Sequence, residues 1–327
     1  MTLEWRPLGH DRILDELRKH RRAPRRTYLF SGPDGVGKRV VARWLSALLN
    51  CSAELAPCGE CPSCRAMTAG AHADFRELAP ATTTREGKPK RDPEYRVSWL
   101  VERGGEDADP PPDALPPARV WLTLAPRFRH RVLVLDRAGL LNESAANAML
   151  KTLEEGSGRA SVILIESDPG ALLPTVASRG VPISFGLVDA EDEAWSRVHP
   201  SVRRWVAGRP GLVRRALERS EEIATAAQWA AGVVEALRSG TAAVLGRVME
   251  LADLYRGPEP GFDPLWHLRR ELAASALEPA AMAGALEAVE RAQSAWLAYA
   301  HPGLTFTGLG LDLTEAPGLV RDRRSAT

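Results

Sequence analysis

Long apolar segments are missing from this sequence of 327 residues. No run of about 18 apolar residues occurs, so a transmembrane helix is not expected. The opening segment, MTLEWRPLGHDRILDELRKH, carries charges where a secretory signal needs an apolar core, and we expect a cytoplasmic protein. The formal net charge of +1 gives no overall basic field that would indicate a nucleic-acid binder. Lysine is scarce, with five residues against 38 arginines, a bias that we attribute to a GC-rich genome rather than to phosphate recognition.

Cysteine is also rare, and all four cysteines lie between positions 51 and 64. Clustering of this kind in an intracellular chain indicates a metal site rather than a disulfide framework. The spacing x6, x2, x2, with Gly59 and Pro62 between the cysteines, predicts a closed tetrahedral site for one structural Zn²⁺. An iron–sulfur cluster and four unrelated thiols stay open as alternatives, and His72 is expected on the surface rather than as a fifth ligand. The predicted ligands are Cys51, Cys58, Cys61 and Cys64.

The composition is otherwise that of a folded globular chain, with 44% hydrophobic and 26% charged residues, and the length allows two or three domains. Short apolar strands alternate with helical segments up to about residue 187, which predicts an α/β domain whose parallel sheet is covered on both faces. Residues 81–117 are rich in Pro, Gly and charge and predict a long surface insertion, partly disordered. From about residue 188 the pattern is helical. The predicted strands are 28–30, 131–136, 161–165 and 182–185.

A phosphate-binding loop is indicated between the first strand and the following helix, where residues 32–38 fit the pattern GxxxxGK. Glycines in such a loop let backbone N–H groups surround a phosphate, and the lysine adds a positive charge. The next residue should be Ser or Thr to hold Mg²⁺, but it is Arg39. The loop is therefore either kept for its tight turn after nucleotide binding was lost, or binds nucleotide weakly with little Mg²⁺. Its candidate residues are Gly32, Gly35, Gly37 and Lys38.

A decayed Mg²⁺ site is indicated by Asp136, which ends a predicted buried strand. P-loop proteins use a carboxylate at this position to orient Mg²⁺ and the attacking water. Active ATPases of the AAA+ type usually carry Glu immediately after it, whereas this chain has Arg137. Two independent catalytic positions are thus occupied by arginine.

Together these features resemble the delta-prime subunits of bacterial DNA polymerase III clamp loaders, which are AAA+ proteins. The resemblance runs from about residue 5 to 187. It is strongest in YLFSGP with the phosphate loop and four-Cys module, and in LNESAANAMLKTLEE at residues 141–155. It implies an AAA+ domain over 1–187 with an inserted zinc module, a small helical lid over 188–222 and an all-α collar over 223–327. It also implies a subunit that does not hydrolyse ATP, whose partners are gamma/tau-type ATPase and delta-type subunits and, indirectly, the sliding clamp and primed DNA.

The resemblance also gives a meaning to Arg179, which alone would indicate only a surface or capping residue. Clamp-loader subunits usually carry Ser-Arg-Cys here, and their Arg enters the ATP site of the neighbouring subunit as an arginine finger. This chain has Ser178-Arg179-Gly180, so the Arg is kept and the third residue differs. Ser167 falls where these ATPases sense the γ-phosphate.

Two other interpretations stay open. One is an autonomous AAA+ ATPase acting in replication or recombination, which Arg39 and Arg137 argue against. The other is a zinc-finger DNA binder, which lacks a dense basic and aromatic neighbourhood around the cysteines.

Overall fold

The computed structural model describes residues 7–83, 89–102, 111–155, 158–189, 193–275, 277–298 and 300–315. The chain divides into two compact units. The first comprises Met1–Ala190 with Gly208–Leu212, and the second comprises Glu191–Ala207 with Val213–Thr327. None of the helices in the described part of the chain is long and apolar enough to cross a bilayer.

The first unit is built around a five-stranded parallel sheet with the order β2-β5-β6-β1-β7, beside a separate antiparallel hairpin, β3-β4. Leu29 of β1 pairs with Leu164 of β6, and Asp136 of β5 pairs with Ile165. All five parallel strands therefore end at one edge of the sheet. The strands are β1 Thr27–Ser31, β2 Phe75–Leu78, β3 Ala81–Thr83, β4 Pro89–Glu94, β5 Arg131–Asp136, β6 Ala160–Glu166 and β7 Val181–Ser184.

Helices cover both faces of this sheet, as the sequence predicts. Tyr28 and Phe30 of β1 share a core with Trp44 and Leu45 of the helix that follows the phosphate loop. Leu29 belongs to a second core on the other face. The central strands read as continuous apolar runs because neither face meets water. The helices of this unit are α1 Asp11–Lys19, α2 Lys38–Asn50, α3 Pro62–Thr68, α4 Val97–Leu100, α5 Ala118–Thr123, α6 Glu143–Glu155 and α7 Pro174–Ala177.

The second unit contains helices and no strand among its described residues, in agreement with the predicted pattern. Its core is a cluster of buried Ala, Leu and Val with Phe306. Helix α14 begins at a Pro after Asp263, whose carboxylate accepts a hydrogen bond of 2.9 Å from the Trp266 N–H. The remaining helices, of which α10 begins in the first unit and continues in the second, are α8 Glu193–Ser196, α9 Pro200–Val206, α10 Pro210–Glu218, α11 Ser220–Ser239, α12 Thr241–Met249, α13 Leu251–Leu254, α14 Pro264–Ala274, α15 Pro279–Leu297 and α16 Pro302–Glu315.

The predicted surface insertion over residues 81–117 is wrong for part of its length. Tyr95 and Leu100 are fully buried in the core beneath α6. The Tyr95 hydroxyl oxygen lies 2.9 Å from the Leu78 carbonyl oxygen and 2.6 Å from that of Asp136. Its single proton is shared between these two acceptors and ties the segment to the sheet. The average composition of the segment hides these few apolar anchors. Residues 84–88 and 103–110, where disorder was also expected, lie outside the described residues.

Candidate functional site

The phosphate loop lies between β1 and α2, and its three glycines adopt a backbone conformation that suits only glycine. Their φ values are +133° at Gly32, +79° at Gly35 and +106° at Gly37. A Cβ atom at Gly32 would lie 2.2 Å from the Phe185 carbonyl oxygen, so a side chain there would also clash. The loop thus keeps the conformation that its sequence pattern predicts.

Lys38 turns its ammonium group back into the loop. Its Nζ donates to the carbonyl oxygen of Gly32 and, at 2.9 Å, to that of Pro33. Burial lowers the pKa of Lys38, while the carboxylates of Asp34, Asp136 and Glu166 act in the opposite direction. The lysine ammonium therefore binds two backbone carbonyl oxygens of the loop, and three carboxylates lie near it.

Arg39, at the position of the missing hydroxyl, reaches across to two carboxylates. Its Nη1 lies 3.8 Å from Asp136 Oδ2, and its Nε pairs with Glu77 Oε1. Glu77 is the next-to-last residue of β2 and also binds Arg43 Nη2 at 3.1 Å. The side chains of Glu77 and Asp136 are only 13% and 17% exposed. One guanidinium thus lies close to both of these largely buried carboxylates, and Arg43 supplies a second positive charge at Glu77.

The electrostatics of Asp136 reflect this arrangement. Burial raises the pKa of Asp136, the nearby Arg39 guanidinium opposes that shift, and the like charge of Glu77 adds to it. Arg137, which follows, has a φ of +51°, an uncommon left-handed conformation for a side chain of this kind. The main chain therefore turns sharply after Asp136, and an arginine stands where an active ATPase has its glutamate.

Ser167 follows β6 and reaches the phosphate loop, because β6 lies between β5 and β1. Its hydroxyl donates to Asp34 Oδ1, and Glu166 Oε1 accepts from its backbone N–H at 2.7 Å. The strand order brings the phosphate loop, Asp136 and Ser167 to one edge of the sheet. The residues that the sequence singles out as a nucleotide site are therefore neighbours in space.

Arg179 stands apart from this group, two residues after the end of α7. Its side chain is 29% exposed and pairs with Glu154 at the end of α6, with 2.7 Å between Nε and Oε1. Its Nη1 donates to the Thr175 carbonyl oxygen. At Gly180, a Cβ atom would lie 3.0 Å from Leu29 Cβ, so the chain packs closely on β1 at this point.

The four cysteines converge at the end of α2 and the start of α3. Their sulfur atoms all lie within 4.8 Å of one another, and the Cys51 and Cys61 sulfurs are 3.9 Å apart. A tetrahedron with Zn–S bonds of about 2.3 Å has edges of about 3.8 Å, so the set fits a tetrahedral metal ion. Backbone N–H groups of Cys58, Cys61 and Cys64 point at sulfur atoms at 3.3–3.5 Å, which favours thiolates.

The thiol pKa values differ according to depth. Burial raises the pKa of Cys51 and of Cys64. The pKa of Cys61 is lowered to about 6 because backbone N–H groups of Cys64 and Ser52 outweigh the opposing effect of burial. Hydrogen bonds from the backbone N–H groups of Glu60 and Cys61 also lower the pKa of Cys58. The two outer sulfurs are thus ready to bind a cation.

His72 is not a member of this cluster, as expected, but the prediction that it lies on the surface is wrong. Its side chain is buried, with Nε2 2.9 Å from Ser63 Oγ. Its Nδ1 accepts from the Asp74 N–H at 3.2 Å, so Nε2 carries the proton. His72 therefore fastens α3 to the segment before β2.

Comparisons with known proteins identify the family. Residues 10–94 and 124–188 match the family model described as DNA polymerase III, delta subunit. The DNA polymerase III subunit delta' of Pseudomonas aeruginosa is 35% identical over 158 residues. The chain belongs to the family of DNA polymerase III clamp-loader subunits.

The matches to curated relatives cover only part of each protein. The Pseudomonas match covers 47% of this chain and 41% of that protein. The DNA polymerase III subunit tau of Escherichia coli is 29% identical over 233 residues, which cover 67% of this chain and 32% of that protein. The chain thus spans less than half the length of these curated relatives.

The solved structure of a DNA polymerase III gamma subunit-related protein from Thermotoga maritima resembles the fold. Its TM-score is 0.53 at 13% identity, with 94% of this chain and 99% of that one covered. The fold is therefore a mixed α/β domain with a parallel sheet, followed by a helical region.

Two residues that pair with the candidate arginines were not predicted from the sequence. Glu77 lies on a four-residue strand in which only Phe75 and Leu78 are apolar, too short a pattern to predict. Glu154 lies within the family-specific run, but its pairing with Arg179 spans 25 positions. Neither contact leaves a local signal in the sequence.

Proposed function

We propose that this chain is a non-catalytic, delta-prime-type subunit of the clamp loader, which supports ATP-dependent loading of the sliding clamp onto primed DNA in the cytoplasm. The family match and the similarity to the Pseudomonas delta' subunit support this role. Its partners are then gamma/tau-type ATPase and delta-type subunits.

The observation that carries the proposal is the position of Arg39. A P-loop ATPase holds Mg²⁺ between the hydroxyl that follows the lysine and an acidic residue at a strand end. In this chain the Arg39 side chain pairs with Asp136 and Glu77 instead. A fixed cation at these carboxylates disfavours a divalent ion there, so the chain is not expected to hydrolyse ATP. Nucleotide binding through Lys38 and the loop glycines stays open.

We assign to Arg179 the role of an arginine finger for the ATP site of the neighbouring subunit. Its partly exposed position after α7 and its match to the family's Ser-Arg motif support this assignment. A planar guanidinium suits phosphate oxygens because it presents several N–H groups in one plane. In this proposal, residues 188–222 would serve as the lid and residues 223–327 as the collar. The core that α11 to α16 share is consistent with a collar that folds as one body.

We assign a structural Zn²⁺ to the four cysteines. With four thiolates, the ion has no open position for a substrate, so its contribution is to the stability of the lobe. Cys51 and Cys64 are part of the same buried cluster as Trp44, so the lobe is continuous with the core beside the sheet.

Assembly and turnover measured together test the proposal. The purified chain, a purified gamma/tau-type ATPase subunit and their mixture are compared by gel filtration and by steady-state ATP turnover. The proposal expects a stable complex whose turnover comes from the partner, and no turnover by the chain alone. Efficient turnover by the chain alone would favour an autonomous ATPase, and failure to form a complex would remove the clamp-loader role.

A further inference from the structure

A pocket of about 460 Å³ opens in the first unit at the edge of the sheet opposite the phosphate loop. It is formed where the chain enters three neighbouring strands: the loops before β1, β5 and β6. Parallel strands of five to seven residues span about 17–23 Å, so this pocket and the phosphate loop are separate sites. The lining residues are Arg21, Arg22, Pro24, Leu49, Arg129, His130, Gly158 and Arg159.

The pocket is basic far beyond the average of the chain. The loop before β1, residues 20–26, reads HRRAPRR and the loop before β5, residues 124–130, reads LAPRFRH, with no Asp or Glu in either loop. The whole chain has a net charge of +1, so positive charge is concentrated here and balanced elsewhere. Concentrated charge in a concave site attracts polyanions more strongly than the same charge spread over a surface.

Three of the four arginines are available to a ligand. Arg22, Arg129 and Arg159 are exposed and form no ion pair with an acidic side chain among the described residues. Arg21 is engaged differently: it donates to the carbonyl oxygens of Glu54, at 2.7 Å, and Cys51, at 3.1 Å. Arg21 thereby fixes one wall of the pocket to the start of the cysteine module.

His130 adds shape rather than charge. Its ring is buried with Nε2 2.8 Å from Ser161 Oγ, and burial lowers its pKa to about 4. The positive charge of the pocket therefore comes from arginine alone and persists over the physiological pH range. Guanidinium groups are the side chains that bind phosphate oxygens through paired N–H groups.

We propose that this arginine pocket binds the phosphate backbone of DNA directly, independently of the phosphate loop and of Arg179. The choice between DNA and an acidic protein segment follows from the lining. Only Pro24 and Leu49 are apolar, whereas protein–protein contacts are anchored by aromatic and apolar side chains in pockets. Protein–DNA interfaces are more polar and far more positively charged. Because the pocket contacts backbone rather than bases, the binding carries no sequence preference.

The test is fluorescence anisotropy of a labelled DNA duplex titrated with the full chain at several salt concentrations. Three arginines that each neutralise a phosphate contribute about −2.7 to the slope of log affinity against log salt. Between about 50 and 200 mM NaCl this part of the affinity falls about 40-fold. The triple variant Arg22→Gln, Arg129→Gln, Arg159→Gln is expected to bind more weakly and to lose that part of the slope.

A matched triple variant controls for net charge. Arg12→Gln, Arg65→Gln and Arg119→Gln remove three exposed arginines of the same unit outside the pocket, and this variant is expected to bind as the unaltered chain does. Circular dichroism and thermal melting of both variants check that the fold is kept. Equal weakening by the two variants would overturn the proposal, as would the absence of duplex binding.

Competition separates the two kinds of polyanion. A poly-glutamate peptide that binds more tightly than the duplex, and depends on the same three arginines, would assign the pocket to an acidic protein segment and overturn the proposal for DNA. None of these outcomes bears on ATP turnover or on Arg179, so this inference and the proposed function can fail separately.

Discussion

Replacing Arg39 by Thr restores the hydroxyl of an ordinary phosphate loop and removes the cation between Asp136 and Glu77. At an effective dielectric constant of about 20, unit charges 3.8 Å apart attract by about 4 kcal/mol. Arg39 is 52% exposed, so solvent screening reduces its net contribution to about 1–2 kcal/mol. For a domain of this size the melting temperature should fall by about 2–8 °C without Mg²⁺.

Added Mg²⁺ should reverse that loss. Two carboxylates and a hydroxyl are oxygen ligands that suit Mg²⁺, and a ligand that binds only the folded state raises its stability. The assay is thermal unfolding with and without Mg²⁺ for the unaltered chain, Arg39→Thr and Arg43→Thr. Arg43 lies on the same helix as Arg39 and also pairs with Glu77, but it does not follow the lysine of the phosphate loop. The Arg43→Thr variant therefore serves as the matched control. An Arg39→Thr variant as stable as the original, or one that Mg²⁺ stabilises no more than the control, would refute the role given to Arg39.

Three further outcomes are expected. Elemental analysis of freshly purified protein should find about one zinc per chain, and protein free of zinc would contradict the assignment. Cys61→Ser should release the zinc and lower the melting temperature, whereas the control variant Ser52→Ala should do neither. The isolated chain should show no ATP turnover above a mock purification, because arginines replace the Mg²⁺ hydroxyl ligand and the base. ATP turnover that survives further purification would contradict a non-catalytic chain. The stability of the first unit should fall as the pH drops from about 6.5 to about 4, since burial lowers the pKa of His130 to about 4 and the unfolded chain takes up a proton that the folded one does not. His130→Gln should flatten the pH dependence of the free energy of unfolding by up to about 1.4 kcal/mol per pH unit, and an unchanged slope would show that other groups govern it.

The strands of the sheet could be predicted where both faces are buried, because such strands need a continuous run of apolar residues in the sequence. Strand β6, for example, has every residue buried, and its apolar pattern alone identifies it. Strand β2 could not be found in this way because it contains Arg76 and Glu77 between two apolar residues. Arg76 is tolerated there because it pairs with Asp113, at 2.7 Å, across 37 positions. Long-range pairing of this kind is invisible in a local window.

The candidate site divides along the same line. The phosphate loop and the cysteine ligands are short, contiguous patterns, and the structure brings their members together. The partners that define the charge of the site, Glu77 for Arg39 and Glu154 for Arg179, come from distant segments. Spacing in the sequence predicts which residues meet a small ligand or ion, whereas the pairing of distant charged side chains follows from the packing of whole helices and strands.

The central claim is that Arg179 acts on the ATP site of a neighbouring subunit. Complexes rebuilt with Arg179→Ala, with Arg179→Lys and with Arg119→Ala, an exposed arginine on α5, are compared for steady-state ATP turnover, and gel filtration verifies assembly. Trans-acting arginines accelerate phosphoryl transfer by on the order of 10³–10⁵. ATP turnover should therefore be lost at the one affected site, while the total turnover of the complex falls only in part. Lysine should not restore it fully, because an ammonium lacks the planar fork of N–H groups. Normal turnover of an intact Arg179→Ala complex at every site would contradict the account.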